Sequence, residues 1–446
     1  MPYAIDLFCG AGGMSEGILQ AGFEILFSND INEDVERTYV NRHEQLGLIQ
    51  NYNTYFHRGD ISQLNGDFIW NCIKNLKIFS TKEKPIPTGI DAIFGGPPCQ
   101  GFSRAGRRKT DDPRNLLFRE YLRIINEIKP KYVVMENVEG FNDTKFYDFK
   151  GVTGEIYPDA SLAPDILINE FQLIGYDVLP PKVLDASDYG VPQKRKRAIF
   201  IAYLRNEHIP QYPFPTHSNE KKITVLDAVG DLIRDHVLLK SINSELTNYQ
   251  LESRRGRTPN VSGTTISSNG QFHNNDISNH QPIIIERFSL FQEGEDGNSL
   301  RNRIMREGIN LSNKPCLLQE CETKLSIDQQ EIIQFFKGGN VTNEMLDALL
   351  TKKSIRTRLN RALPSLTVVT LPDDYISPFE DRIFSVRELA RLQSFDDSFV
   401  FLGKRTTGGS RRKLEAPQYT QVGNAVPPLL SKAIATEIMN AIRGTD

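Results

Sequence analysis

Short apolar runs alternate with helix-like stretches along residues 1–204. The runs are rich in β-branched or aromatic residues, and several end at polar or glycine-rich turns. The runs lie at residues 3–8, 23–28, 92–94, 132–135 and 198–203, and the helix-like stretches include residues 14–22, 115–128 and 163–174. This alternation predicts a Rossmann-like, doubly wound α/β fold, in which helices cover both faces of a mostly parallel sheet.

The pattern loosens after about residue 205. Residues 253–281 are dense in Arg, Ser, Thr, Asn and Gly, which would also suit a surface loop or a disordered insert. Because apolar stretches flank this segment on both sides, we predict a second, smaller folded domain over residues 205–355. Helical character returns at residues 385–393 and 429–442, so we expect residues 356–446 to complete the first domain.

Composition places the chain in a broad class. Its 446 residues suffice for two or three domains, and 39% hydrophobic with 24% charged residues is typical of globular proteins. No apolar run approaches the ~20 residues of a membrane span, and Asp6 and Gly10 interrupt any signal peptide, so we expect a cytoplasmic protein in a prokaryotic cell, near the nucleoid. Five cysteines predict no disulfide framework, and only Cys316 and Cys321 are neighbours, so no metal site is expected.

Positive charge is clustered although the net charge is −3. Duplex DNA is bound by local Lys/Arg clusters rather than by the average charge, although a charge run is often only a solvated face. The four clusters are Arg104/Arg107/Arg108/Lys109, Lys194/Arg195/Lys196/Arg197, Lys352/Lys353/Arg356/Arg358/Arg361 and Lys404/Arg405/Arg411/Arg412/Lys413. Their positions beside the motifs below favour DNA binding.

A glycine-rich turn at residues 6–13 follows the first predicted strand and precedes the first helix. Glycines permit a tight turn and a close approach to a ligand, while a helix N-terminus offers free N–H groups. The turn lacks the G-x-G-x-x-G spacing of a dinucleotide site. Asp30 ends the second strand and could accept ribose hydroxyls, and Asp60 could approach an adenine amino group. Each acid could instead be a turn or cap residue, but together they indicate a nucleoside cofactor pocket.

The loop at residues 95–103, GGPPCQGFS, is the most specific motif. Prolines fix φ, so this loop would hold Cys99 at a set angle above a parallel sheet, where ligands bind. A structural cysteine would more often lie within an apolar element. We therefore interpret Cys99 as a nucleophile. A free thiol has a pKa of about 8.5, so its attack at neutral pH would benefit from cationic neighbours.

Two further motifs lie at the ends of predicted strands. Glu136, in the sequence ENV, ends one strand and should reach the same cleft as Cys99, since buried acids are rare unless paired. Alternation along an extended segment would send Gln193, Arg195 and Arg197 to one face. Two arginines aimed into a cleft suit a polarised carbonyl or a phosphate.

In this order the motifs resemble those of the cytosine-5 DNA methyltransferase family, in its bacterial or phage restriction-modification form. The resemblance covers residues 1–204 and about 355–446. It is carried by residues 8–13, 98–100, 136–138, 193–197, 361–368 with 387–393, and 421–428. It implies the S-adenosylmethionine-dependent methyltransferase fold, a target-recognition domain in residues 205–355, and a C-terminal helix that packs back beside the first strand.

The resemblance also implies a mechanism. A cytosine would be extruded from the duplex, Cys99 would add to its carbon 6, and carbon 5 would take the methyl group of S-adenosyl-L-methionine. Glu136 would bond the ring N3 and the exocyclic amine, and Arg195, with Arg197 nearby, would hold the O2 carbonyl and the phosphate. The implied cofactor contacts are Phe8, Gly10, Gly12, Gly13, Asp30, Ile31, Asp60, Ile61, Pro98, Leu117 and Asn424. Ile31 stands where family members often carry an aromatic residue, so stacking on adenine would fall to Phe8 and Ile61.

Specificity is expected in residues 205–350, because arginine reads guanine and asparagine or glutamine reads adenine in the major groove. The candidate DNA contacts are Gln100, Ser103, Gln193, Arg254, Arg255 and Arg257, with Asn269, Gln271 and Asn274 as further candidates. The basic loop at residues 404–413 is expected to contact phosphates.

Three other functions fit part of the pattern. One branch of the family methylates tRNA, although the broad region 205–350 favours double-stranded DNA with a defined site. A catalytically silent homologue would not need Cys99, Glu136, Arg195 and Asn424 together. A nicotinamide dehydrogenase would leave the Pro-Pro-Cys loop unexplained. The resemblance further implies a monomer that is paired in function with a restriction endonuclease, without a stable complex.

Overall fold

The computed structural model describes residues 1–98, 117–242, 245–351, 353–407, 411 and 414–444. In chain order its strands are β1 (Tyr3–Leu7), β2 (Glu24–Asp30), β3 (Tyr55–Arg58), β4 (Ala92–Gly95), β5 (Tyr132–Val138), β6 (Lys145–Phe146), β7 (Ser161–Leu162), β8 (Tyr176–Val178), β9 (Lys182–Asp185), β10 (Lys196–Leu204), β11 (Thr357–Arg358) and β12 (Tyr375–Ile376).

The α-helices of the described chain are α1 (Gly13–Gln20), α2 (Glu33–Gln45), α3 (Gly66–Lys74), α4 (Lys77–Ser80), α5 (Leu117–Ile128), α6 (Ala163–Leu173), α7 (Val225–Val229), α8 (His236–Ile242), α9 (Asn248–Arg255), α10 (Pro282–Phe288), α11 (Gly297–Glu307), α12 (Pro315–Leu325), α13 (Gln329–Lys337), α14 (Asn343–Leu349), α15 (Val386–Leu392), α16 (Gln418–Asn424) and α17 (Pro428–Arg443).

A mixed, mostly parallel sheet forms the centre of the protein. Its strand order is β3-β2-β1-β4-β5-β10-β8, and β9 also pairs with β10. The first five of these strands are parallel to one another, whereas β10 runs antiparallel to β5, β8 and β9. The predicted α/β fold class is therefore confirmed, and the strand predicted at residues 198–203 is the antiparallel one.

The two faces of the sheet are buried by different helices. Side chains alternate along a strand, so Ile5 and Leu7 enter the apolar cluster that contains α3, α5 and α6, while Ala4 enters the cluster of α1 and α17. A Cβ on Gly17 would lie only 2.4 Å from the backbone nitrogen of Lys432, so glycine permits α1 and α17 to pack closely. The C-terminal helix thus packs back against the first helix and covers one face of the sheet.

The region after β10 is helical and has two parts. Residues of α7 and α9 share an apolar cluster with α15 and α16, whereas residues 283–350 form a separate cluster of their own. We call residues 283–350 the helical body. The predicted domain boundaries at residues 205 and 355 stay a prediction, but the helical body is narrower than that range.

Residues 256–281 form no helix or strand, and the first part of this segment contacts the ends of α1 and α2. The Gln20 amide donates to the Thr258 hydroxyl (3.0 Å), and Val261 N donates to Leu46 O (2.9 Å). Gln20 ends α1 and Leu46 follows α2, and both helices run antiparallel to the strands that they connect. Residues 258–261 therefore lie at the edge of the sheet opposite to the carboxyl ends of the parallel strands, whereas residues 273–277 bond to Arg387, Phe401 and Arg405.

Within the described ranges, no helix has the length and apolar character that crossing a membrane requires.

Candidate active site

The turn between β1 and α1 uses backbone conformations that favour glycine. Phe8, Gly10 and Gly12 have φ values of 57°, 53° and 99°, in the left-handed region where glycine carries no steric penalty. A Cβ on Gly10 would meet no atom within 4 Å, whereas one on Gly12 would lie 3.2 Å from the Tyr39 ring. The Gly10 side of the turn therefore faces open space, where a ligand has room.

The C-terminal part of the chain packs directly on this turn. A Cβ on Gly13 would lie 2.3 Å from the carbonyl oxygen of Val426 and 3.0 Å from the Cβ of Ala425. The Ser431 hydroxyl also donates to Met14 O (2.8 Å). Residues 422–426, which we call the closing turn, and the glycine turn thus form one wall.

Asp30 ends β2 and holds the glycine turn. Its Oδ2 accepts a hydrogen bond from Gly10 N (3.1 Å), and its Oδ1 accepts one from Asn32 N (2.9 Å). Burial raises the pKa of Asp30, an effect that these backbone donors oppose. The neighbouring Ile31 side chain is 68% exposed, so it is free to contact a bound nucleoside.

Asp60 follows the adjacent strand β3. Its Oδ1 accepts from Ser62 N (2.9 Å) and caps a short 3₁₀ helix that begins at the buried Ile61. Gly59 N donates to Asp30 O (3.1 Å), which ties the two strand ends together. Asp30 is therefore a turn residue and Asp60 a cap, as the alternative reading held. Both also lie at neighbouring carboxyl ends of the sheet, as the cofactor hypothesis requires.

The remaining predicted cofactor residues lie around the same edge. Phe8 and Leu117 are partly buried against the apolar cluster that includes Ile61. Pro98 is half-buried at the end of a described range, and Asn424 is exposed at the end of α16 within the closing turn. The structure thus offers apolar side chains, two carboxylates and an open glycine turn, a donor set that fits an adenosine with a charged tail.

Asp6 was not among the predicted site residues. It lies under the glycine turn with no exposed surface, and the Ser15 hydroxyl donates to its Oδ2 (2.5 Å). Its Oδ1 has no hydrogen-bond partner among the described residues. Burial raises the pKa of Asp6 to about 7. The signal in the sequence was an acid placed directly before a glycine turn.

Glu136 lies at the carboxyl end of β5 and forms an ion pair. Nε of Arg197 is 2.6 Å from Oε1 of Glu136. A Cβ on Gly96 would lie 3.1 Å from Oε2 of Glu136, and the Asn137 amide donates to Pro97 O (3.0 Å). The start of the cysteine loop is thereby fastened beside the carboxylate.

Part of the predicted site lies outside the described residues. Cys99, Gln100 and Ser103 fall there, together with the basic cluster of residues 104–109. Their roles stay predictions. Among the residues that the structure does describe, no group of three His, Cys, Asp or Glu side chains could hold a metal ion.

The segment before β10 shows the predicted alternation. Gln193, Arg195 and Arg197 point inward, while Lys194 and Lys196 are exposed. The inward side chains have different partners, however, since only Arg197 pairs with Glu136.

Arg195 and Gln193 bond to the protein itself. Arg195 donates through Nη1 to Val368 O (3.0 Å) and through Nη2 to Gly423 O (2.9 Å). Burial and the charge of Arg197 lower the pKa of Arg195. Gln193 has no exposed surface, and its amide is bonded on both sides. Both polar atoms of Gln193 are thus enclosed and bonded within the protein, so its assignment as a DNA contact stays a prediction that these bonds do not favour.

Two arginines expected to read bases have partners within the chain. Arg254 pairs with Asp231 (2.6 Å), and its guanidinium lies 5.1 Å from the Phe272 ring centroid. The Arg257 guanidinium lies 4.6 Å from the Tyr249 ring centroid and donates to that residue's carbonyl (3.2 Å). Both guanidinium groups thus bond to other parts of the protein, and the structure does not bring either of them together with Glu136.

The other residues that were expected to read bases differ in their exposure to solvent. Asn274 exchanges two hydrogen bonds with the backbone of Phe401 (2.8 and 2.9 Å). The exposed candidates are Arg255, Asn269 and Gln271. Asn269 and Gln271 line a cavity together with Gln45, the last residue of α2, away from the carboxyl ends of the parallel strands, whereas Arg255 is the last residue of α9.

Most described cations of the other basic clusters are paired with acids or backbone. The pairs and bonds are Lys353 with Asp373 and Asp374, Arg356 with Asp373, Arg358 with Asp381, Arg361 with Glu293, Lys404 with Glu415, and Arg405 with Asp276 O and Ile277 O. Residues 352, 408–410, 412 and 413 lie outside the described ranges. Lys194 and Lys196 are the exposed cations nearest in sequence to Arg197.

Comparisons with known proteins agree with this geometry. A family model described as C-5 cytosine-specific DNA methylase matches residues 3–440. The Type II methyltransferase M1.HphI of Haemophilus parahaemolyticus is 31% identical over 441 residues, covering 98% of this chain and 86% of that one. The Type II methyltransferase M.DdeI of Desulfomicrobium norvegicum is 29% identical over 438 residues, covering 97% and 88%.

A solved structure supports the fold. The putative DNA modification methyltransferase encoded within an E. coli prophage superposes with a TM-score of 0.62 at 22% identity, covering 99% of this chain and 100% of that one. The family match spans nearly the whole chain and includes both the glycine turn and the Glu136 strand. The chain therefore belongs to the C-5 cytosine-specific DNA methylase family and is a DNA cytosine-5 methyltransferase.

Proposed function

We propose that this protein methylates carbon 5 of a cytosine in a defined duplex site, through a covalent bond between Cys99 and carbon 6 of an extruded base. The ion pair between Glu136 and Arg197, beside Gly96 and Pro97, is the observation that carries this proposal. It holds a carboxylate at the sheet edge where the cysteine loop begins.

Chain connectivity supports a shared site for the thiol and the carboxylate. Pro97 is bonded to Asn137, the neighbour of Glu136. Consecutive Cα atoms are about 3.8 Å apart, so only two such steps separate Pro97 from Cys99. A nucleophile at position 99 is therefore within reach of a pyrimidine ring that contacts Glu136.

The cofactor proposal rests on the strand ends. Asp30 would accept the ribose hydroxyls, Asp60 would face the adenine, and the open Gly10 side of the turn would receive the amino-acid tail. Phe8, Ile61 and Leu117 would pack on the adenine, and Asn424 would close the pocket. S-adenosyl-L-methionine supplies an electrophilic methyl group when it is bound.

The protein residues then account for the remaining chemistry. Cys99 thiolate forms a bond to carbon 6, while Glu136 stabilises a proton at N3 as electrons move toward carbon 5. Arg197 holds the Glu136 carboxylate in place. The resemblance gives the O2 carbonyl to Arg195, but Arg195 donates to Val368 O and Gly423 O, so Arg197 would make that contact. After carbon 5 has gained the methyl group, loss of its proton to a base, for which water is a candidate, expels Cys99 and restores the ring.

The cytosine must leave the helix because the enzyme cannot reach its reacting carbons in the stacked duplex. Carbon 5 and carbon 6 of a stacked cytosine are shielded, so the base must leave the helix at a cost of a few kcal/mol. Lys194 and Lys196, exposed beside Arg197, are suited to contact the phosphates of that strand. The helical body would form the opposite wall and carry site recognition. We further propose a monomer whose partner in function is a restriction endonuclease, without a stable complex.

Two experiments test the proposal. Bisulfite sequencing of DNA from cells that express the protein should reveal one methylated cytosine within a fixed sequence. Duplex DNA with 5-fluorocytosine at that position should trap a covalent complex, because fluorine cannot leave carbon 5 as a cation. Methyl transfer to tRNA instead of duplex DNA, or a covalent complex with a peptide lacking Cys99, would reject it.

A further inference from the structure

Four segments that are distant in sequence meet behind the closing turn, and two buried glutamines connect them. Gln193 and Gln393 have no exposed surface. The Gln193 amide nitrogen donates to Leu392 O (3.1 Å) and to Oε1 of Gln393 (2.8 Å). The Gln393 amide nitrogen in turn donates to Val422 O (2.7 Å). One line of hydrogen bonds therefore runs from the segment before β10 to the closing turn.

Backbone groups and Arg195 fix both ends of this line of hydrogen bonds. Val368 N donates to Oε1 of Gln193 (2.7 Å), and Val368 O accepts from Arg195 (3.0 Å). Arg195 also donates to Gly423 O (2.9 Å). A Cβ on Gly423 would lie 2.6 Å from Val369 O, so the closing turn has no space to shift toward this backbone.

The closing turn packs directly against the glycine turn. Val426 O would lie 2.3 Å from a Cβ on Gly13, so the two turns are in direct contact. A displacement of the closing turn therefore moves Asn424 relative to the glycine turn or moves the glycine turn itself.

We propose that Gln193 and Gln393 are positioning residues for the cofactor pocket: their paired amides set the closing turn, and thus Asn424, against the glycine turn. The inference rests on the proposed cofactor site. It assigns Gln193 to cofactor affinity rather than to DNA contact. Because both amides are buried, loss of Gln193 removes the acceptor of Val368 N, and loss of Gln393 removes the side-chain donor of Val422 O. Losing such bonds is costly in a protein interior.

The test uses the full-length protein with Gln193→Ala, Gln393→Ala and the double variant. Each single substitution should raise the KM for S-adenosyl-L-methionine about tenfold, the change expected for one lost buried hydrogen bond. The KM for DNA should stay within about twofold, and kcat at saturating cofactor should largely recover. Because the amides act in series, the double variant should be little worse than either single one.

Two matched variants sharpen the result. Gln393→Glu keeps an acceptor for Gln193 but cannot donate to Val422 O, so it should show the same tenfold rise in the cofactor KM. This variant supplies the measurement if Gln393→Ala does not fold. Lys194→Ala, at the exposed neighbouring position, should raise the KM for DNA and leave the KM for the cofactor unchanged.

The outcomes separate this inference from the proposed function. A rise in the DNA KM with an unchanged cofactor KM in Gln193→Ala would overturn the positioning role. Additive effects in the double variant, or a lowered Tm with no selective cofactor defect, would also overturn it. Wild-type protein that neither binds S-adenosyl-L-methionine nor methylates DNA would instead refute the proposed function.

Discussion

Nε of Arg197 lies 2.6 Å from Oε1 of Glu136, across the antiparallel pairing of β10 with β5. Both side chains are only 11% exposed, so solvent screens their attraction less than it would at the surface. The pair fixes the direction of a carboxylate at the sheet edge where the cysteine loop begins.

Replacing Glu136 with glutamine should lower kcat by about 10²–10⁴-fold, the usual contribution of a positioned acid or base. Transfer of a labelled methyl group to duplex DNA measures the change. Glu139→Gln is the matched control, because Glu139 lies three residues along the chain and is 44% exposed. Its ion pair with Lys196 is long, at 3.9 Å. A Glu136→Gln rate within a few-fold of wild type would remove Glu136 from the scheme.

Cys99→Ser should abolish turnover and leave the affinity for S-adenosyl-L-methionine nearly intact, because a serine hydroxyl is a far weaker nucleophile than a thiolate. Equilibrium binding of the cofactor and methyl transfer are measured on the same preparation. Cys72→Ser, which changes a half-buried free cysteine on α3, serves as the control and should retain activity. Normal methylation by Cys99→Ser would contradict the nucleophile assignment.

Asp6 should make stability fall as pH rises from about 4 to about 7. Its pKa is raised from an ordinary value of 3.8 to about 7 in the folded protein. Between those values the unfolded chain loses this proton while the folded chain retains it, so rising pH favours unfolding. Asp6→Asn removes the group.

Denaturant titrations at several pH values measure the effect. The free energy of unfolding of wild type relative to Asp6→Asn should decrease between pH 4 and pH 7 and level off above about pH 7. A constant difference across this range would show that Asp6 is ionised in the folded protein.

Arg254→Ala should destabilise the protein and leave its recognition sequence unchanged. The substitution removes the ion pair with the buried Asp231 and the contact with Phe272, and a loss of about 1–3 kcal/mol in the free energy of unfolding is expected. Arg255→Ala, on the exposed neighbour, should change stability by no more than about 0.5 kcal/mol. Bisulfite sequencing checks the site, and a changed methylation pattern in Arg254→Ala would restore its role in base reading.

Removing the charges of Lys194 and Lys196 together should weaken the salt dependence of DNA binding. Each phosphate contact contributes a slope of about −0.9 in log K against log salt, so the double alanine variant should lose nearly 2 units of slope. Lys77→Ala, which removes an exposed cation near the start of β3, is the control. An unchanged slope in the double variant would place the phosphate contacts elsewhere.

Much of this site could be predicted from local patterns. The glycine turn, Asp30 and Glu136 lie at the ends of strands that apolar runs and turn residues mark in the sequence, whereas the strand before Asp60 was not predicted. The inward alternation of Gln193, Arg195 and Arg197 was also predictable, because it depends only on the extended backbone. Such features depend only on residues a few positions away in the sequence, so local patterns predict them.

Tertiary contacts decided the rest. The partners of Gln193 are Val368, Leu392 and Gln393, and Arg254 meets Asp231 and Phe272. The raised pKa of Asp6 likewise arises from burial by the packed helices rather than from its neighbours in sequence. The sequence alone thus indicated the family, the alternation of strands and helices over residues 1–204 and the kinds of reactive groups. Only packing decided which of those groups meet, because hydrogen bonding and burial depend on distances that chain separation does not set.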